Sequence, residues 1–280
     1  MFAPGRQWRW HTLGAISALS LALGPGSAQA QEAVDVELVL AVDVSLSMSP
    51  GELEIQRHGY AAALTHPSVV DAIMDGVNGR IAVTFFEWAG DFSQRVLVPW
   101  TIVASAEDAE RVAEMLTASP SQSARRTSIS GAINFASDLF AESPYKGMRR
   151  VLDISGDGPN NQGPSVTQAR DALVAGGITI NGLPLMTNEG FTSSHDVSDL
   201  DNYYTNCVIG GPGAFMIPVN EWSQFPEAIR RKLVIELADT APDEVRPPVI
   251  LAQAGLAYDC LVGEKMWRNR TWMWQDRQSP

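Results

Sequence analysis

The chain has 280 residues, of which 45% are hydrophobic, so it is long enough to bury one sizeable core. Its formal net charge is −12, and its arginine pairs at 125–126, 149–150 and 230–231 are isolated from one another in the sequence. Proteins that bind nucleic acid usually present a clustered basic face, so this composition argues against a nucleic-acid partner.

The first thirty residues have the pattern of a signal peptide. Two arginines precede an apolar stretch at 13–23, which is followed by the helix-breaking segment 24–27 and by small residues at 28 and 30. A helix that spans a bilayer needs about 20 apolar residues, so this stretch is too short to be a membrane anchor. We therefore expect cleavage after Ala30 and a mature chain without a membrane span, located in a periplasm or secreted.

Strand and helix patterns alternate along the middle of the chain. An apolar run predicts a buried strand at 36–42, and a helical pattern follows until Pro67. The next two strands, at 80–90 and 94–100, predict a hairpin, and a serine-capped helix follows at 105–119. The pattern continues with helices at 128–143, 165–177 and 225–239 and with strands at 149–155, 178–185 and 214–219.

This alternation predicts the fold class. Strands that are joined through helices run parallel in one sheet covered on both faces, which explains why these strands are continuously apolar. We expect an α/β fold with a doubly wound, mostly parallel sheet. The segment 210–215 resembles a dinucleotide-binding loop only loosely and follows no clear strand, so its glycines are interpreted as having a packing or turn role.

The end of the chain differs in composition. A Pro-rich connector begins after Asp239 and leads into a tail with Trp267, Trp272 and Trp274. We interpret this tail as packing on the sheet domain, with docking of a partner as the alternative. The predicted organisation is a signal peptide at 1–30, a main domain at 31–240, and the connector and tail at 241–280.

Two cysteines are present, Cys207 and Cys260. In an oxidising compartment an exported protein with an even number of cysteines tends to pair them, so we predict a disulfide that holds the tail against the domain. Two buried free thiols are the alternative, since sequence alone does not supply the geometry.

Polar side chains follow the predicted strands where those strands end. Asp43, Ser45 and Ser47 come at the end of the first strand, Asp157 comes just past the strand 149–155, and Thr127 precedes a helix. Ligands of open parallel sheets bind at the carboxyl ends of the strands. Two carboxylates and three hydroxyls form an all-oxygen set that suits Mg²⁺, with Mn²⁺ or Ca²⁺ as alternatives. Each residue alone also fits a helix cap or a turn, but their joint order favours a metal site.

In this order the sequence resembles the von Willebrand factor type A (VWA) family. The metal-ion-dependent adhesion site (MIDAS) of that family has the pattern Asp-x-Ser-x-Ser, then a distant Thr, then a distant Asp before Gly. The resemblance covers residues 34–239, and the tracts NCVIGGPGAF and AIRRKL are similar to an uncharacterised exported bacterial branch of the family. The matching positions are Asp43, Ser45, Ser47, Thr127 and Asp157 with Gly158.

The resemblance implies a Rossmann-like sheet with a divalent cation at its top edge. It also implies an open coordination position that accepts a Glu or Asp side chain of a protein partner, and hence a binding module, not an enzyme. The sequence departs from the family pattern at two positions. Arg126 stands where the family often has glycine, and Gly156 stands where it often has Thr or Ser.

The rival prediction is a metal-dependent hydrolase, above all a phosphatase of the haloacid dehalogenase type. That chemistry needs a second acid two residues after the nucleophilic Asp, and Ser45 occupies the position. No Gly-x-Ser-x-Gly motif of serine hydrolases occurs in the sequence. Asp153 lies inside an apolar strand, so we expect it to be hydrogen-bonded structurally and assign it no ligand role.

Overall fold

A computed structural model of the chain describes residues 31–118, 120–187, 197–238, 250–251 and 258–276. Of 250–251 and 270–276 only the backbone is described. The predicted signal peptide and most of the Pro-rich connector lie outside the described residues. None of the helices in the described part is long and apolar enough to cross a bilayer.

Strands and helices alternate as the sequence predicts. The strands are β1 (Glu32–Asp43), β2 (Ile81–Trp88), β3 (Gln94–Val103), β4 (Tyr145–Gly156), β5 (Thr179–Pro184), β6 (Phe215–Met216) and β7 (Ile250–Leu251). The helices are α1 (Pro50–Leu64), α2 (Pro67–Met74), α3 (Ala106–Thr117), α4 (Ile129–Ala141), α5 (Val166–Ala175), α6 (Leu200–Tyr203), α7 (Phe225–Leu237) and α8 (Val262–Asp276). A π-helical turn (Tyr204–Val208) follows α6, and a 3₁₀ turn (Trp222–Gln224) precedes α7.

The described strands form one mixed sheet in the order β3-β2-β1-β4-β5-β6-β7. β1 pairs in parallel with β2 on one side and with β4 on the other, and β5 and β6 continue the parallel part. The pairs β2–β3 and β6–β7 are antiparallel. The predicted fold class, a Rossmann-like doubly wound α/β sheet with a hairpin at one end, is confirmed.

β1 lies in the interior of the sheet, between β2 and β4, and contributes to two hydrophobic cores. One core packs α1, α2, α3 and α7 on one face, and the other packs α4, α5 and the π-helical turn on the opposite face. Successive side chains of a strand point to opposite faces, so a strand buried on both faces is continuously apolar. Val36, Leu38, Leu40 and Val42 enter the first core, and Val39 and Ala41 enter the second.

Glu37 interrupts this apolar run and is nevertheless buried. Its Oε1 accepts a hydrogen bond of 2.6 Å from the backbone N–H of Gly147. The carboxylate is therefore satisfied by the neighbouring strand, and its presence does not disturb β1.

Several sequence predictions need correction. The helical pattern predicted until Pro67 ends at Leu64, and a separate helix that was not predicted, α2, starts at Pro67. Pro is favoured at the first position of a helix because its missing N–H would have no intrahelical partner there. The strand predicted at 214–219 contains only two strand residues, 215 and 216.

The glycine-rich segment 210–215 forms a turn, as interpreted from the sequence. Gly211 and Gly213 have φ angles of +97° and +71°, which residues with a Cβ rarely adopt. The disulfide between Cys207 and Cys260 is also present, with the two Cα atoms 5.5 Å apart.

A charged cluster that the sequence did not predict lies inside the first core. Lys232 of α7 places its Nζ 2.6 Å from Oδ1 of Asp153, and both side chains are fully buried. The same Nζ contacts Oε1 of Glu236, which also accepts a hydrogen bond of 2.9 Å from Asn181. Asp153 is therefore held by an ion pair, where only a hydrogen bond was expected. One ammonium faces two carboxylates, and burial raises the pKa of both acids, that of Glu236 to about 7.

We expect this cluster to make stability depend on pH. The pKa of Glu236 rises from its ordinary 4.5 to about 7 in the fold, so between these values the native state holds a proton that the unfolded state has released. The contribution of Glu236 to the free energy of unfolding therefore falls as pH rises, by about 1.4 kcal/mol per unit. Urea unfolding at pH 5 and pH 7.5 measures the free energy of unfolding of Glu236→Gln and of the wild type. Between the two pH values the variant should become more stable relative to the wild type by up to about 3 kcal/mol. A difference between the two proteins that does not change with pH would contradict this.

Candidate metal centre

Four of the five predicted ligands form one chain of hydrogen bonds at the carboxyl edge of the sheet. Asp43 is the last residue of β1, and its Oδ1 accepts a hydrogen bond of 2.7 Å from the N–H of Ser45. The hydroxyl oxygens of Ser45 and Ser47 are 2.9 Å apart. Ser47 then donates a hydrogen bond of 2.9 Å to Oδ1 of Asp157, which directly follows β4. Residues 110 positions apart in sequence thus meet at one point.

Asp43 carries the main electrostatic cost of this arrangement. Its side chain is fully buried, and its Oδ2 has no hydrogen-bond partner among the described residues. Burial, with the nearby charge of Asp157 as the second cause, raises the pKa of Asp43 well above its ordinary value. A buried carboxylate oxygen without a partner is costly, so something outside the described side chains would stabilise it.

Thr127 forms no hydrogen bond with these four residues, and it is linked to the loop of Asp157 through Asn161. Its N–H donates to Oδ1 of Asn161 at 3.1 Å, and its carbonyl accepts from the N–H of Asn161 at 2.8 Å. The loop of Thr127 is therefore fixed to the loop that starts at Asp157. The Thr127 side chain is almost fully buried, and its hydroxyl makes no hydrogen bond to the described residues.

The alternative that these hydroxyls are ordinary helix caps does not agree with the structure. Ser49, not Ser45 or Ser47, caps α1, and it does so in a capping box with Glu52. Ser128, not Thr127, caps α4 by accepting a hydrogen bond of 3.1 Å from the N–H of Gly131. The three predicted hydroxyl ligands therefore have no capping role.

Arg126 adopts the backbone conformation that glycine would provide at this position. Its φ angle is +77°, and it is the one described residue other than glycine with a positive φ. Such a conformation costs a residue with a Cβ roughly 1–2 kcal/mol. The backbone at position 126 thus has the conformation that the glycine of the VWA pattern would adopt. Arg126 adopts the same conformation despite the strain.

Gly156 leaves space that other side chains use. A Cβ at this position would lie 3.0 Å from Oδ2 of Asp43, 3.0 Å from the hydroxyl oxygen of Tyr204 and 3.3 Å from Cζ2 of Trp88. Tyr204 is fully buried, and its pKa is raised by burial first and then by the charges of Asp43 and Asp157. The departure from the family pattern is therefore explained by a buried tyrosine that approaches the two carboxylates.

We expect Gly156→Ala to destabilise the fold by about 1–3 kcal/mol, because the added methyl group would press on Asp43, Tyr204 and Trp88. Gly158→Ala is the matched control, since a Cβ there would meet nothing within 4 Å. Urea unfolding of both variants measures the difference. Equal stability of the two variants would show that the site has room to relax around residue 156.

Sequence reasoning missed two asparagines that support the site. Asn160 is buried, and its Oδ1 accepts hydrogen bonds from the N–H and hydroxyl of Ser130 in α4 at 3.0 and 3.1 Å. Asn161 ties Thr127 to the same loop. The signal available in the sequence was the pair of adjacent amides three and four residues after Asp157.

The residues present fit a hard divalent cation. Their side-chain donors are all oxygens, and the buried Oδ2 of Asp43 would gain a partner from an adjacent cation. Within the described residues no group of three or more His, Cys, Asp or Glu side chains offers another metal site. Hydroxyl oxygens are weak ligands on their own, so the two aspartates would provide the charge that binds the ion.

The fold and this edge define an α/β sheet protein in which two carboxylates and two hydroxyls are joined by hydrogen bonds where β1 and β4 end. The chain belongs to the family described as "Protein of unknown function (DUF1194)", whose model matches residues 33–241. No curated protein matches the chain.

Solved structures share the fold at low sequence identity. Proximal thread matrix protein 1 from the mussel byssus, in a structure with a zinc-occupied MIDAS motif, aligns with a TM-score of 0.51 at 16% identity. That alignment covers 74% of this chain and 48% of the mussel protein. The pilus adhesin SpaC from Lactobacillus rhamnosus GG aligns with a TM-score of 0.53 at 12% identity, over 73% of this chain and 31% of SpaC. This chain therefore spans about half the length of the mussel protein and less than a third of SpaC.

Proposed function

We propose that this protein is an exported VWA-type binding module that recognises an acidic side chain of a protein partner through a divalent cation. The observation that carries the proposal is the series of hydrogen bonds that joins Asp43, Ser45, Ser47 and Asp157 at the carboxyl edge of the sheet. In this arrangement the buried Oδ2 of Asp43 has no hydrogen-bond partner among the described residues. A zinc-occupied MIDAS motif in a mussel protein of the same fold supports a cation at such an edge.

In this proposal the side chains of Asp43, Ser45, Ser47, Thr127 and Asp157 would hold the ion. Mg²⁺ is favoured because the donors are hard oxygens, and Mn²⁺ and Ca²⁺ share that preference. A bound cation would supply an electrophilic position for a carboxylate of the partner. The chain's own contribution is to hold two carboxylates of like charge close together, a state that the ion would stabilise.

The alternative, a metal-dependent phosphatase, is weaker on structural grounds. Nucleophilic attack requires that the carboxylate reach the substrate, but Asp43 is fully buried. Ser45, which occupies the position of the second acid, has a hydroxyl that pairs with the hydroxyl of Ser47 and carries no carboxyl group that could act as a general acid. We therefore propose binding without catalysis.

Export is part of the proposal and is supported by the disulfide. Disulfides form and persist in oxidising compartments, and Cys207 and Cys260 are joined in this structure. The signal-peptide pattern at 1–30 agrees with this location. Whether the protein acts in a periplasm or outside the cell follows from where its partner is found.

The experiment that tests this function is capture of the partner with and without metal. Residues 31–280, immobilised, would be incubated with envelope extract of the same organism in Mg²⁺ or in a chelator. We expect proteins that are retained in Mg²⁺ and are not retained in chelator or by the Asp157→Asn variant. A Glu-containing peptide should displace these proteins, and the same peptide with Gln in place of Glu should not. Retention of the same proteins in both conditions would contradict the proposal.

A further inference from the structure

The C-terminal helix α8 is fixed to the sheet domain at its start. Cys260, just before α8, is bonded to Cys207 in the π-helical turn. Tyr258 donates a hydrogen bond of 3.0 Å to Oδ2 of Asp199, and its ring lies against that of Tyr203, with centroids 6.1 Å apart. The bridge and these contacts determine where α8 begins.

From this start α8 reaches the loop that follows Asp157. Nδ2 of Asn160 donates a hydrogen bond of 2.7 Å to Oε1 of Glu264. The backbones also approach closely, since a Cβ on Gly263 would lie only 2.1 Å from the carbonyl oxygen of Asn160. Glycine at 263 is therefore required for this contact, and α8 packs directly on the loop.

The same helix also reaches the loop of Thr127. The guanidinium carbon of Arg126 lies 3.5 Å from the centroid of the Trp267 ring. A cation above a tryptophan ring is attracted by the negative face of the ring, and this attraction opposes the cost of the left-handed backbone at Arg126. Trp267 thus stabilises the strained residue that immediately precedes a predicted ligand.

Asn160 connects these contacts to one another. Its amide nitrogen binds Glu264 in α8, while its amide oxygen binds Ser130 in the first turn of α4, three residues after Thr127. One buried side chain of the loop 157–161 therefore joins α8 to the start of α4, which follows the loop of Thr127. Any movement of α8 changes the environment of Asn160 and Arg126 together.

We propose that α8 is a brace for the metal centre, in which Asn160, Glu264 and Trp267 are positioning residues and the Cys207–Cys260 bridge holds the brace in place. Loops that are ordered before the ion binds lose less conformational freedom on binding, so the brace raises metal affinity. This inference rests on the proposed function for its metal-affinity consequence. Its structural consequence, order in the loops 124–128 and 157–161, does not require metal.

The first test measures hydrogen exchange of the metal-free chain 31–280 before and after reduction of the disulfide. We expect faster exchange in 124–128 and 157–161 after reduction, and unchanged exchange in β1 and β4, which belong to the sheet. Trp267→Leu should accelerate 124–128 in the oxidised protein, and Trp267→Phe, which keeps a ring, should restore protection. Arg268→Ala, at an exposed position of the same helix, is the matched control. Equal exchange in both loops before and after reduction overturns the brace.

The second test measures Mg²⁺ and Mn²⁺ affinity of the same proteins by calorimetry. Loss of a group that orients a metal ligand typically weakens affinity by about 10–100-fold, so we expect that loss for the reduced protein and for Glu264→Ala. Arg268→Ala should bind like the wild type. Equal affinity before and after reduction overturns the brace alone, whereas an oxidised wild type that binds no metal overturns the proposed function.

Discussion

Replacing Lys232 by Met is expected to destabilise the protein by about 3–5 kcal/mol. The substitution removes the one ammonium that contacts Asp153 and Glu236, all three side chains being fully buried. Two buried carboxylates would then face each other without a cation, and burial already raises the pKa of both. Urea unfolding followed by circular dichroism measures the loss.

Lys265→Met is the control for this prediction. Lys265 pairs with Asp259 at 2.7 Å, but both side chains are about half exposed, and such pairs contribute at most about 1 kcal/mol. A loss of less than about 1 kcal/mol for Lys232→Met would contradict the account, because it would mean that the buried acids adapt to the absence of their partner. The double variant Lys232→Met with Glu236→Gln should be more stable than Lys232→Met, since it removes one of the two orphaned charges.

The second large effect is expected for Asp43→Asn, which should weaken Mg²⁺ affinity by more than about 100-fold while the fold survives. The amide keeps an oxygen that can accept from the N–H of Ser45, and it removes the negative charge that Asp157 opposes. The metal-free variant should therefore be as stable as the wild type or more stable. Calorimetry and urea unfolding of the same preparation measure both quantities.

Asp71→Asn provides the matched control, because Asp71 is an exposed carboxylate of α2 that lies away from the candidate metal centre. It lies near Asp35, in the first half of β1, whereas Asp43 is the last residue of that strand. The substitution changes the net charge by the same amount and should leave metal affinity unaltered. Metal binding by Asp43→Asn at wild-type affinity would show that the ion, if it binds, does not use the end of β1.

The candidate metal ligands can be predicted from the sequence because each follows from a local rule. Asp43 and Asp157 are predicted at strand ends, and parallel neighbouring strands bring such ends to one edge. The structure confirms the sheet, and it joins the two loops through the hydrogen bond from Ser47 to Asp157. It places the Thr127 loop beside them through Asn161, and the metal itself stays a prediction.

The residues that support the core and the candidate metal centre could not be predicted from the sequence in this way. The contact between Lys232 and Asp153 depends on how α7 packs across the sheet, and no spacing in the sequence indicates it. The contact of Trp267 with Arg126 similarly depends on where the disulfide anchors α8. The sequence predicts a connector and tail at 241–280 and does not indicate α8 within them, because its tryptophans and charges follow no clear amphipathic pattern.

Calorimetric titration of Mn²⁺ and Mg²⁺ into the oxidised wild-type chain 31–280 tests the proposed cation site most directly. We expect one ion per chain, with an affinity that Asp43→Asn and Asp157→Asn each remove and that Asp71→Asn preserves. A wild type that binds neither ion, or that binds one equally well without both aspartates, would contradict it.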